Sequence, residues 1–255
     1  VVVGSGPGIE STVKVYGSTL PSQLGAAPEP FSTFSPYPGS SSGVAVATGL
    51  VDFVSGRNSI VTAPGAGSPA QIKTFRFDLF RANTGAAAWC APSNPLPVDV
   101  PLVTSDFVAF DGYTGGVSLA TGWVAGAFGG VQSIVVGQTE APGAVQIFSS
   151  GSALDGQPTV YLESPDAHAT TVQFAAISSF TLFADAPRSG VRVATTSTVD
   201  GADVLVSGLD PSGDGGRVQK LMMERTTPKS ATLSPRLLSE IEGPGTSPSW
   251  LGGDC

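Results

Sequence analysis

Short apolar runs separated by turns rich in Gly, Ser and Pro recur along the whole chain. In Val13-Lys14-Val15-Tyr16 and Ile72-Lys73-Thr74-Phe75, apolar and polar positions alternate, which predicts half-buried strands with the lysines on the outer face. The triplets Val1–Val3, Ile134–Val136 and Val204–Val206 are apolar on both faces, as expected of strands covered on two sides. A helical signature occurs at Ser234–Ile241, where Ser234 stands as N-cap and Pro235 at the first helical position.

These runs form repeats. One unit is a β-branched triplet, a Gly/Pro turn and an alternating strand, at Val1–Tyr16, Ser59–Phe75, Ser133–Phe148 and Val204–Leu221. A second unit is an F-x-x-F pair followed by G-V-x-[Val/Leu]-Ala-Thr. Its copies are Phe31/Phe34 with Gly43–Thr48, Phe107/Phe110 with Gly116–Thr121, and Phe180/Phe183 with Gly190–Thr195. Ile60, Ile134 and Leu205 follow one another at steps of 74 and 71 residues. Four strands per repeat of ~60–75 residues match one blade of a β-propeller, in which neighbouring blades bury each other's apolar faces.

The expected fold is therefore all-β: a propeller of about four four-stranded repeats. Three would be complete, and both ends incomplete. The repeats fall near 1–42, 43–115, 116–189 and 190–225, with a short irregular tail or arm at 226–255. The Val1–Val3 strand would have to pair with the C-terminal portion around Lys229–Leu233, closing a four-bladed ring, or with another chain by strand addition. The intermolecular pairing is preferred.

Composition narrows the function classes. The 255 residues include 33 Gly and 21 Pro without a collagen period, and only 13% are charged, too few for long ion-paired helices. A net charge of −8 leaves no basic footprint for nucleic acid, and no apolar run is long enough for a membrane-spanning helix. Cys90 and Cys255 belong to no C-x-x-C motif, so they are either one long-range disulfide or two free thiols. The sequence opens at Val1 without the features of a signal peptide, so any export signal is expected to have been removed or to lie outside it.

Sharper chemistry finds little support. Gly4-Ser5-Gly6-Pro7-Gly8 leads into a strand, whereas a dinucleotide-binding turn needs a helix N-terminus to face the pyrophosphate. Gly39-Ser40-Ser41-Ser42-Gly43 fits the letters of a nucleophile elbow, but a strand follows it as well. His168, the sole histidine, stands beside Asp166 and Pro165 and reads as a solvated loop residue. Eight phenylalanines fall at recurring strand positions and read as packing between repeats. Asp210 and Asp214 read as turn residues.

The pattern I-V-x-G-x-G-P-G, V-K-V-F, F-x-x-F, G-V-x-V-A resembles the FG-GAP/VCBS-type repeats of exported bacterial proteins, relatives of the integrin α-chain propeller. The resemblance spans about Val1–Leu221. That family carries an acidic calcium loop between the G-V-x-V-A and I-V-V-G strands. The matching segments here retain Asp52 in the first, no carboxylate in the second, and Asp200 and Asp203 in the third. Calcium takes ~6–8 oxygen ligands, so these three residues are weak candidates, and neither calcium nor another cofactor is expected. The resemblance implies a non-catalytic module, secreted, periplasmic or on the cell surface, serving adhesion or assembly with other protein chains. The alternative is a lectin-like propeller binding glycans, for which Trp89, Trp123 and Asp111 are the available residues.

Overall fold

The computed structural model describes residues 1–17, 29–51, 58–76, 101–124, 131–140, 143–150, 162–163, 170–182, 190–198, 201–208, 217–225 and 232–242. Within them every regular element is a strand. Sheet I contains β1 (Val2–Gly4), β2 (Val13–Val15) and β3 (Ser32–Phe34) in that order. Sheet II contains β4 (Val44–Gly49), β5 (Ser59–Pro64), β6 (Gln71–Arg76) and β7 (Leu102–Val108). Next come β8 (Val117–Gly122), β9 (Ser133–Gln138) and β10 (Ala144–Ser150), then the small hairpin β11 (Leu162–Glu163) and β12 (Thr170–Thr171). Strand β13 (Phe174–Thr181) completes sheet III beyond β10. Sheet IV contains β14 (Val191–Thr198), β15 (Gly201–Gly208), β16 (Arg217–Arg225) and β17 (Leu233–Glu242). All strand pairings are antiparallel.

Sheets II, III and IV are built alike down to their irregularities. In each, the pairing of the third strand with the fourth shifts register at one place: Thr74/Phe75, Ile147/Phe148 and Lys220/Leu221. The extra residues are Thr104, Ile177 and Leu238. Such a bulge bends the outer strand and increases its twist. Ile177 is buried between sheets III and IV, and Thr104 is buried with its hydroxyl on that of Thr74, whereas Leu238 is exposed, because no described sheet packs beyond IV.

The helix expected at Ser234–Ile241 is instead part of β17, and residues 233–242 are not irregular tail. Ser-Pro reads locally as a helix start, but β16 needs a partner for its backbone, and ladder pairing overrides so weak a preference. Pro235 is tolerated because β17 is the edge strand of its sheet, where a missing N–H costs no ladder bond. The last repeat therefore has a fourth strand that its sequence disguises.

Packing joins successive sheets into three clusters. Sheets I and II share Val13, Val15, Ile60 and Phe75. Sheets II and III share a cluster around Val61, Ile72, Phe110, Ile134 and Val136, and sheets III and IV one around Val135, Ile147, Ile177, Val191 and Leu221. The recurring phenylalanines bridge these layers: Phe34 meets Phe75 at 4.9 Å and Phe107 meets Phe148 at 4.8 Å between ring centroids. Phe180 packs into the III–IV cluster, where Leu221 replaces the second ring. Phe31 departs from the expectation that every recurring ring is core, since its side chain is exposed. Phe183 lies outside the described residues.

Candidate functional site

The first strands β4, β8 and β14, all G-V-x-[Val/Leu]-Ala-Thr segments, lie side by side where the sheets converge, with β1 next to β4. Their pattern fits that position. The first and third apolar residues face the preceding sheet: Val44 and Val46 pack on the I–II cluster, and Val191 and Val193 lie in the III–IV cluster. The intervening small residues face the following sheet. Ala45 and Ala47 pack on the II–III cluster. The Ser118 hydroxyl donates to the Val191 carbonyl at 3.2 Å and accepts from the Val193 N–H at 3.2 Å. Only a small side chain fits at so close an approach.

Two further contacts recur along these strands. Thr121 Oγ1 donates to the Thr48 carbonyl, and Thr195 Oγ1 to the Thr121 carbonyl, each at 2.7 Å. The opening glycines Gly43 and Gly116 share φ 82, a left-handed conformation that disfavours any side chain. A Cβ on Gly43 would also lie 2.9 Å from Gly6, and one on Gly116 2.8 Å from the Ala66 nitrogen, both in the turn of the preceding sheet.

Sheet I differs at its first edge. Val1 and Val3 are 83% and 48% exposed, whereas their counterparts Ile60, Thr62, Ile134 and Val136 are at most 5% exposed. Among the described residues no strand pairs with β1 on the side away from β2. Ile60 is covered by sheet I, and Ile134 and Val136 by sheet II, so the exposure of Val1 and Val3 marks the face of sheet I against which no described sheet packs.

One polar cluster lies between sheets I and II. The buried Tyr37 hydroxyl donates to the Gln71 carbonyl at 2.8 Å and sits 3.0 Å from Thr62 Oγ1. Lys73 Nζ stands 5.2 Å above the Tyr37 ring, donates to the Pro36 carbonyl at 3.1 Å, and lies 3.7 Å from the Asp106 carboxylate. Gln71 Nε2 donates to Asp106 at 2.7 Å. Burial pushes the Tyr37 phenol well above its ordinary value, against the opposing hydrogen bond from Thr62. A phenol held neutral and already donating is a poor base, so the cluster ties the Pro36–Tyr37 turn to sheet II. Burial likewise raises Tyr113, whose hydroxyl accepts from the Glu140 N–H at 3.0 Å.

The structure does not gather the residues singled out from the sequence. Asp111 is exposed in the turn before β8 and Trp123 is half-buried just after its end, so the six-residue strand separates them by ~20 Å. Asp203 lies within β15, in register with Thr196 and Met222. Trp89, Asp52, Asp200, His168, Cys90 and Cys255 lie outside the described residues. Among the described residues no three His, Cys, Asp or Glu side chains group as a metal site, and no helix is long and apolar enough to cross a membrane. The Tyr37 cluster escaped sequence reading because its members come from four segments with no shared motif. The alternating Lys73 was its only trace.

No family model, curated protein or solved structure matches this chain.

Proposed function

We propose that the chain is a propeller-type repeat module of the FG-GAP/VCBS kind, non-catalytic, and exported to a cell surface, the periplasm or the medium. Its role in this reading is structural: adhesion or assembly with other protein chains. The observation that carries the reading is the repetition of one build: sheets II, III and IV share a register shift at the same place, and β4, β8 and β14 are joined in series by the same threonine contact. The recurring side chains are engaged in holding one sheet to the next, through the threonine contacts and the shared clusters.

Light scattering across a range of concentrations tests the reading. Association that grows with concentration, above the chain mass of 25.6 kDa, is the expected result. A compact monomer at every concentration overturns self-assembly as its role.

A further inference from the structure

We propose that Asp111-Gly112, in the turn between β7 and β8, is a site of covalent modification, at which the aspartyl residue rearranges through a cyclic imide to isoaspartate. The inference is independent of the assembly reading and concerns how long the junction of sheets II and III stays intact.

Two turns of the chain share a backbone and differ in chemistry. Tyr37-Pro38-Gly39-Ser40 is closed by the Ser40 N–H donating to the Tyr37 carbonyl at 3.1 Å. Phe110-Asp111-Gly112-Tyr113 is closed by the Tyr113 N–H donating to the Phe110 carbonyl at 3.2 Å. Gly39 and Gly112 have φ 78 and 71, as the third residue of a type II turn requires. In each, the carbonyls that follow hold a turn of the preceding sheet. Ser40 and Ser41 accept from the N–H groups of Ser11 and Gly8, and Tyr113 and Thr114 from those of Ala70 and Gly67. Proline at the second position and glycine at the third are what such a turn favours. The later copy keeps the glycine and puts aspartate in place of the proline.

That exchange sets a carboxyl group beside the amide nitrogen that follows it. The Asp111 side chain is exposed, and neither its carboxylate nor the Gly112 N–H is bonded among the described residues. Gly112 has no Cβ to hinder ring closure, and nothing lies within 4 Å of the place one would occupy. The Gly112 nitrogen attacks Cγ of the Asp111 carboxyl group. A C–N bond forms, and the carboxyl OH leaves with the amide proton as water. Water then opens the imide at either carbonyl. Opening at Cγ restores aspartate. Opening at the α-carbonyl routes the backbone through Cβ and Cγ, a methylene longer and unchanged in mass. The longer backbone displaces the Tyr113 and Thr114 carbonyls from Ala70 and Gly67.

The test holds the folded protein for several weeks at physiological pH and temperature. It is then denatured and digested with a proteinase that cuts before aspartate but not before isoaspartate. The expected result is a growing fraction left uncut before Asp111, at unchanged mass, with cleavage before Asp106 complete. In the aged protein, amide exchange at Gly67 and Ala70 should rise about tenfold, while Gly8 and Ser11, held by the proline-containing turn, stay as they were. Asp111→Pro copies that turn and should abolish both changes. Asp111→Glu, whose longer side chain closes the ring far more slowly, serves the same purpose if the proline variant does not fold. Complete cleavage before Asp111 throughout, or the same rise in exchange in either variant, overturns the inference.

Discussion

Thr195 donates its hydroxyl proton to the carbonyl of Thr121 over 2.7 Å, across the boundary between sheets IV and III. Thr121 makes the same bond, at the same distance, to Thr48 in sheet II. Two residues at one position of a repeat therefore perform one task, which is to lock each first strand to the one before it.

That equivalence has a thermodynamic consequence. Thr121→Val and Thr195→Val should each destabilise by about 1 kcal/mol, the usual net value of such a bond, in urea unfolding followed by circular dichroism. Thr48→Val should be neutral within error, because its hydroxyl makes no such bond in the described structure. A large loss at Thr48 alone would show that the ladder does not begin there.

The bulge residues offer a second comparison. Ile177 is buried between sheets III and IV, whereas Leu238, at the same place in the next sheet, is 41% exposed. Ile177→Ala should cost about 2–5 kcal/mol and Leu238→Ala less than about 1 kcal/mol. Similar losses at the two sites would mean that sheet IV is covered after all.

Strands β4, β8 and β14 were readable because G-V-x-[Val/Leu]-Ala-Thr combines two constraints, apolar residues toward one neighbour and small ones toward the other, that few other arrangements impose. The alternation of Val13-Lys14-Val15 was readable for the ordinary reason that one face is buried and the other wet. Strand β17 was not, since Ser234-Pro235 satisfies the local rules for a helix start and its β state comes from β16. Nor were the partners of Tyr37, because nothing local links it to Thr62, Gln71 and Lys73. Asp111 and Trp123 are close in sequence, yet a strand between them puts them at its two ends.

Alkaline pH should act through Tyr37. Its phenol is raised in the folded protein above the ordinary 10.0, so the folded state holds a proton that the unfolded state releases. This contribution is complete below about pH 10 and is lost as pH rises further, towards the folded value. Folding stability should therefore fall above about pH 10, less steeply in Tyr37→Phe. Tyrosinate absorbance should show one phenol ionising only on unfolding; titration of every tyrosine in the folded state would contradict this.

Calcium should be dispensable. In the propeller family proposed for the chain, calcium sits in an acidic loop; the matching segment here retains no carboxylate in the second repeat, and Asp203 sits in a strand. EDTA is expected to leave the thermal midpoint unchanged. A fall of more than about 5 °C, restored by calcium and not by magnesium, would show that ligands come from elsewhere.

The central claim is that sheets II, III and IV are one unit repeated, each opened by an equivalent first strand. Native-state hydrogen exchange at Ala63, Gly137 and Ser207, three equivalent positions paired with β4, β8 and β14, measures it directly. The account predicts strong protection at all three. Nearly free exchange at any one of them would contradict it, because that sheet would then lack the pairing the repeat requires.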